Sequence, residues 1–540
     1  MLAYAHGACE EALLGETIGQ NFERTVTRVP ESEALVSCHQ GLRYTYAALN
    51  DAVDRLASSM LAAGLRKGDR VGVWGPNRAE WTLTQYATAK IGVILVNINP
   101  AYRMNELEYA LGQSDCRWIV ATPELKGSDF AAMVREVQAS LPSLERAVFF
   151  GSEEWEALAG GRVDRDALAR AAAELDFDDP INIQYTSGTT GFPKGATLTH
   201  HNILNNGYFV AGLLRYTDAD RVCIPVPLYH CFGMVMGNLG ATSHGAGMVY
   251  PADTFDPEAT LRACSEERCT SLFGVPTMFI AQLGHPRFSE FDLRSLRTGI
   301  MAGSPCPIEV MKRVSTDMGI EEIAIAFGMT ETSPVTTQVR IDDTLENRCS
   351  TVGQVMPHAE IKIIDPVSGR TVPRGEPGEF LARGYMVMRG YWNDPERTAE
   401  AIDSSRWMHT GDLATMDEQG YVRIVGRSKD MIIRGGENVY PREIEEFLYT
   451  HEAISDAAVY GVPDLRYGEA VMVSVILREG ASLSEDELRE FCSGQIAHYK
   501  VPKYVAFVDE FPMTVTGKIQ KYKMRDAAVD ELGLAEAQPA

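Results

Sequence analysis

The 540-residue chain is 45% hydrophobic and 23% charged, which excludes a disordered protein and provides enough length for several subdomains. Its formal charge of −24 excludes nonspecific attraction to nucleic acid or anionic membrane, since both need a basic face. Ten cysteines are scattered without a Cys-x-x-Cys pair, Cys264 and Cys269 being nearest in sequence, so their spacing predicts neither a zinc site nor a disulfide framework and the thiols read as reduced.

Residues 1–11 lack the basic start and apolar run of a signal peptide and the arginines of a transit peptide, which predicts a cytoplasmic location. After a hairpin around Gly41, Leu49, Val53, Leu56 and Met60 recur at helical spacing, and Gly64 marks the helix end. Strands over 71–74, 93–96 and 118–121 alternate with helices through Trp81 and near Leu107, the pattern of a parallel sheet covered by helices. The stretch 148–178, rich in Ala, Glu and Asp, reads as a surface helical connection into a strand over 179–185. Beyond a glycine-rich loop, a helix is predicted over 201–214 and a strand over 221–227. Residues 231–250 hold no Asp, Glu, Lys or Arg, but five glycines with Asn238, Thr242, Ser243 and His244 interrupt them, so a buried helix and loop fits better than a membrane span.

A second α/β round follows, with strands over 271–276 and 296–303, and from Gly353 short strands over 361–364, 379–382 and 421–425 point to a β-rich subdomain. Past a charged junction at 426–430, helices over 442–451 and 485–492 and strands over 457–460 and 471–477 form an α+β unit, with a frayed tail from 532. The expected α/β architecture is therefore a large N-terminal domain, 1–426, of two doubly wound α/β subdomains plus a small β-rich subdomain. A hinge at 427–430 and a small mobile α+β C-terminal domain, 431–540, complete it.

The loop at 185–195, Tyr-Thr-Ser-Gly-Thr-Thr-Gly-Phe-Pro-Lys-Gly, is the chemically loaded stretch. The hydroxyls of Thr186, Ser187, Thr189 and Thr190 lie among Gly188 and Gly191, which let the backbone approach an anion closely, and Lys194 adds a positive charge. This suits a nucleotide polyphosphate. Taken alone, the same composition also makes exposed turns, and the loop departs from the Walker pattern because Gly195 follows Lys194.

The loop is followed in order by Phe327-Gly-Met-Thr-Glu331, Thr410-Gly-Asp412, Gly426-Arg-Ser-Lys-Asp430 and Pro512-Met-Thr-Val-Thr-Gly-Lys518. This series resembles the adenylate-forming family of acyl-CoA synthetases, luciferases and nonribosomal adenylation domains. Within it, Pro227-Leu-Tyr-His-Cys-Phe-Gly233, Met301-Ala-Gly-Ser-Pro305 and the run 426–441 are similar to the medium-chain acyl-CoA synthetase branch.

The resemblance implies a fatty acid:CoA ligase that uses ATP, Mg2+ and coenzyme A, forms acyl-AMP and pyrophosphate, and passes the acyl group to the CoA thiol. It implies that Thr186 to Lys194, including Phe192 and Pro193, hold the β- and γ-phosphates. Gly303, Ser304, Phe327 and Gly328 are expected around the nucleotide, with Phe327 on adenine. Thr330 would donate to the α-phosphate, Glu331 hold Mg2+, and Asp412 and Arg427 bind the ribose. Lys518 would bridge the carboxylate and α-phosphate, countering repulsion between two anions. His230 resembles the gate beside the carboxylate, Lys429 the hinge, and Gly435, Gly436 and Glu437 the CoA channel. Met236, Gly240, Met329 and Val335, with His230, are the expected acyl pocket.

The expected partners are these small molecules, with no nucleic acid and no transmembrane segment; a homodimer is left open. Alternatives are an aryl or branched-acid CoA ligase, a luciferase-like oxygenase and a catalytically silent binding module, the last disfavoured by Lys518, Glu331 and Asp412.

Overall fold

The computed structural model describes residues 1–186, 193–304, 306–427, 430–434, 437–493, 495–513 and 519–534, without the side chains of Glu437 and Asn438. The chain forms two compact units, one of 5–361 and 381–409, the other of 1–4, 362–380 and 410–540.

The first unit carries two large sheets. In the seven-stranded one the order is Gly390–Tyr391, Lys194–Thr199, Pro180–Thr186, Ile94–Asn97, Arg70–Trp74, Trp118–Ala121 and Arg146–Phe149. From Pro180–Thr186 onward the pairings are parallel, whereas Lys194–Thr199 runs antiparallel to both neighbours. Continuous apolar strands such as Trp118–Ala121 are what a sheet covered on both faces requires. Here the buried Trp74 and Phe130 stack with centroids 3.7 Å apart, and Val96, Ile119 and Ile183 pack in the same core.

The nine-stranded sheet has the order Gln354–Val355, Val335–Gln338, Glu322–Gly328, Thr298–Ala302, Ser271–Gly274, Arg221–Cys223, Gly247–Tyr250, Glu33–Ser37 and Leu42–Thr45. Its strands from Glu322–Gly328 to Glu33–Ser37 are parallel and its outer pairs antiparallel. Two helix-covered sheets of this kind are the doubly wound pair expected from the alternation of elements.

Several details differ from expectation. The strand at 221 stops at Cys223, because Pro225 and Pro227 cannot donate to a ladder. The uncharged stretch becomes a π-helix, Phe232–Leu239, a short α-helix, Gly240–His244, and an unforeseen strand, Gly247–Tyr250. Its polar residue is satisfied inside the core: Asn238 donates to Gln85 Oε1 at 2.8 Å and accepts from the Tyr250 hydroxyl at 2.7 Å. No described helix is long and apolar enough to cross a membrane.

The ten cysteines are free, as the spacing implied, but three of them meet in the fold. Cys223, Cys264 and Cys269 bring their sulfurs within 4.8 Å of one another, a grouping hidden in the sequence because one member comes from a separate strand.

The β-rich segment supplies Ala359–Ile364, Gly378–Gly384, Met408–Met416 and Val422–Arg427, successive members of a five-stranded sheet. It also holds an unforeseen helix, Pro395–Ala401. In the second unit, Gly468–Leu477 lies between Ile432–Arg434 and Ile454–Asp464, with Tyr504–Phe507 parallel beside it. Helices Pro441–Leu448 and Glu485–Cys492 close this core through Ile444, Leu448 and Leu488. A helix not foreseen from the sequence, Lys521–Leu532, ends at Gly533, whose φ of 59° suits a residue without Cβ.

Candidate active site

The two strands that flank the glycine-rich loop pair with each other. Pro180–Thr186 and Lys194–Thr199 pair antiparallel with Thr186 opposite Lys194, and the Thr186 hydroxyl donates to the Lys194 carbonyl at 3.4 Å. Ile183, Ala196 and Leu198 are buried, as are the intervening Asn182, Gln184 and Thr197, so both strands are covered on both faces. Pro193 and Lys194 are half-buried. Ser187, Gly188, Thr189, Thr190, Gly191 and Phe192 lie outside the described residues, as do Lys429, Gly435, Gly436, Lys518 and the side chain of Glu437.

Lys194 extends over Tyr391, its ammonium 4.9 Å from the ring centroid. The Tyr391 hydroxyl donates to Glu331 Oε1 at 2.8 Å, so one phenol links the cation of the loop to the carboxylate of the Thr-Glu pair. Burial, followed by the Glu331 charge, pushes the Tyr391 phenol above its ordinary pKa and keeps it a donor. Glu331 is 6% exposed, and its backbone carbonyl accepts from Met388 N at 2.9 Å. Its buried hard-oxygen carboxylate, facing a site with a nearby lysine, is of the donor type that Mg2+ takes.

The Phe327 motif sits where strand Glu322–Gly328 ends. Phe327 is half-buried and its carbonyl accepts from the Thr336 hydroxyl at 3.0 Å. A Cβ on Gly328 would fall 1.7 Å from the Pro334 carbonyl oxygen, so only glycine permits this backbone approach. Met329 and Thr330 are half-buried on the short turn that carries Glu331. Gly303 follows strand Thr298–Ala302 with φ of 94°, and Ser304 is half-buried beside it.

The 227–233 motif reaches the same carboxylate. Burial, and then the Glu331 charge, push the Cys231 thiol upward. The adjacent His230 is half-buried, 4.2 Å from Tyr229 between ring centroids, and opens the π-helix through its carbonyl, which accepts from Gly233 and Met234. Gln184 and Asn97 each donate to Met234 Sδ at 3.1 Å, tying that helix to the strand that leads into the loop.

The expected acyl residues lie on separate elements. Val335 is clamped by Asn206, which accepts from its N–H at 3.0 Å and donates to its carbonyl at 2.9 Å. Gly240 approaches Gly207, which follows Asn206 on helix His200–Leu213: a Cβ on Gly240 would stand 3.1 Å from the Gly207 carbonyl oxygen. Met236 is 2% exposed one turn earlier in the π-helix. Met329 lies on the Phe327 turn.

In the other unit, Asp412 and Arg427 face each other across antiparallel strands, and Arg427 Nε donates to Asp412 Oδ1 at 2.9 Å. Asp412 is buried, whereas the Arg427 side chain is 52% exposed. The Asp412 N–H donates to the Thr410 hydroxyl, which donates to the Phe380 carbonyl at 2.7 Å, so the Thr-Gly-Asp motif orients its own carboxylate.

Sequence reasoning missed Tyr391, Gln184 and Cys231. Gly390-Tyr391 carries no recognisable pattern, and its importance arises only from pairing with Lys194–Thr199.

The AMP-binding enzyme model matches residues 22–392, and the AMP-binding enzyme C-terminal domain matches 443–518. A Bacillus subtilis protein carrying the name acyl-CoA synthetase YngI is 46% identical over 97% of this chain and 100% of its own. The mitochondrial medium-chain acyl-CoA ligase ACSF2 of Danio rerio is 45% identical over 98% of this chain and 91% of its own. Among solved structures, ATP-bound MatB from Rhodopseudomonas palustris superposes with a TM-score of 0.83 at 30% identity, covering 95% of this chain and 99% of that one. The chain belongs to the AMP-binding, adenylate-forming enzyme family, among the acid–CoA ligases.

Proposed function

We propose that the protein is a medium-chain fatty acid:CoA ligase, an acid–thiol ligase that converts a carboxylic acid and ATP to acyl-AMP and pyrophosphate and then transfers the acyl group to CoA. The observation that carries this reading is the link from Lys194 through Tyr391 to Glu331, which joins a phosphate-binding cation to a metal-type carboxylate. Near full-length similarity to a medium-chain acyl-CoA ligase supports the acid's size class.

Thr186 to Lys194 grip the β- and γ-phosphates, Phe327 stacks on adenine beside Gly303, Ser304 and Gly328, and Thr330 donates to the α-phosphate. Glu331 would hold Mg2+, which neutralises phosphate charge when bound. Asp412 accepts from the ribose hydroxyls and Arg427 approaches the same sugar. Lys518 bridges the carboxylate and α-phosphate in the first half-reaction, and Gly435, Gly436 and Glu437 line the path of the CoA thiol in the second. Residues 1–426 and 431–540 act as separate domains with Lys429 as hinge, a division supported by the two family matches falling on either side of it.

His230, Met236, Gly240, Met329 and Val335 border the acyl chain. The ten free cysteines favour a reducing compartment, and we place the enzyme in the cytoplasm. The test is a panel of straight-chain, branched and aryl acids assayed for AMP release that requires both ATP and CoA. Medium-chain fatty acids should give the highest kcat/KM; preference for an aryl acid, or AMP release without thioester, contradicts the reading.

A further inference from the structure

A second chemically loaded place lies away from these motifs, in the first unit. Cys223 ends strand Arg221–Cys223, Cys264 lies on helix Pro257–Glu266, and Cys269 precedes strand Ser271–Gly274. All three side chains are fully buried, and their sulfurs lie within 4.8 Å of one another. Three thiolates around one d10 cation, with metal–sulfur bonds of about 2.3 Å, stand roughly 3.8–4.0 Å apart, so an inward shift of an ångström or less converts the triad into a ligand set.

Arg221, on the same strand as Cys223, pairs with Glu267 at 2.7 Å and with Glu33. Its Nε is buried without a partner among the described residues.

A cavity lies beside helix Pro257–Glu266, next to the triad. The cavity of about 450 Å³ is lined by residues including Cys38, His39, Ala263, Glu266 and Glu267, and Ala263 immediately precedes Cys264. Cys38 is only half-buried and lines this cavity.

We propose that Cys223, Cys264 and Cys269 form a structural site for a thiophilic d10 cation of the Zn2+ class, entered from the cavity walled by Cys38 and Ala263. Each coordinating thiol loses its proton to solvent as its sulfur–metal bond forms, with no change of oxidation state. The bound ion pins helix Pro257–Glu266 to the ends of two adjacent strands of the nine-stranded sheet.

The probe is Cd2+ alone, added to reduced, chelator-treated full-length protein without nucleotide, with the ultraviolet thiolate-to-cadmium charge-transfer band as readout. A carboxylate site such as Glu331 gives no such band. The expected result is a band that saturates at one Cd2+ per chain and is displaced by chelator. Affinity should fall at least tenfold in Cys223→Ser, Cys264→Ser and Cys269→Ser but stay unchanged in Cys116→Ser and Cys492→Ser. Cys264→Ala, which keeps an apolar side chain, provides the folding control and should lose the band while unfolding cooperatively. Should the variants fail to fold, wild-type protein decides alone, through metal content as purified and a Tm raised by one equivalent of Zn2+. No band in wild-type protein, a band that survives Cys264→Ala, or a disulfide within the triad overturns the proposal.

Discussion

The phenol of Tyr391 lies between two opposite charges, the Lys194 ammonium over its face and the Glu331 carboxylate at its hydroxyl. Tyr391→Phe keeps the ring under Lys194 but leaves a buried carboxylate oxygen short of a donor, a loss of about 1–3 kcal/mol. The expected outcome is a roughly 5- to 150-fold fall in kcat/KM for ATP in pyrophosphate exchange, with Lys194 still aligned. An unchanged value would show that the link does not serve nucleotide binding.

Arg427 separates function from stability. Its pair with Asp412 is half-exposed on the arginine side, and such pairs contribute about 0–1 kcal/mol to folding. Arg427→Ala should therefore leave denaturant stability within that margin while raising KM for ATP at least severalfold. A large stability loss with normal KM would reduce Arg427 to a structural role. Tyr391 was invisible in the sequence because its partners come from distant strands, whereas Asp412 and Arg427 were legible because each sits in a compact motif.

Helix His200–Leu213 follows the loop's second strand and carries Asn206 and Gly207, which contact Val335 and Gly240. Thr199 caps it: Asn202 N–H donates to the Thr199 hydroxyl at 3.1 Å, and the Asn202 side chain accepts from Thr199 N–H at 3.0 Å. Thr199→Ala should cost about 1 kcal/mol in urea unfolding, the usual value of such a cap.

The next residue gives this helix a pH signature. His200 is fully buried, accepts from Ile18 N–H at 3.2 Å through Nδ1, and is pushed by burial down to about 3. Between pH 6.5 and that value the unfolded chain binds a proton at His200 that the folded chain refuses, so stability falls on acidification. At pH 5 the loss from this group approaches about 2 kcal/mol. His200→Asn, which retains an acceptor for Ile18, should flatten the fall between pH 6.5 and 5; an identical slope would contradict a neutral buried imidazole.

Elements with continuous apolar runs or helical spacing were legible, among them Arg70–Trp74 and Glu485–Cys492. Lys194–Thr199 was not, because three of its six residues are Thr or Lys and its burial comes from neighbours on both sides. The cysteine triad was hidden for a related reason: spacing rules read single segments, and its members come from a strand, a helix and a turn.

At the scale of the whole molecule, the alternation of strands and helices gave the two doubly wound sheets, and five ordered motifs gave the family. Acyl selectivity was not legible, because it depends on side chains from separate elements; Gly240 and Val335, for instance, come together only against Gly207 and Asn206 of helix His200–Leu213. The central claim is that one enzyme performs adenylation and thioester formation in sequence, with Lys518 serving the first alone.

The most direct measurement compares both half-reactions in Lys518→Ala: fatty-acid-dependent pyrophosphate exchange, and CoA thioester formation from supplied acyl-adenylate. The account predicts a loss of exchange of at least a hundredfold, with thioester formation within a few-fold of wild type. Equal loss of both half-reactions, or exchange that survives the substitution, would contradict it.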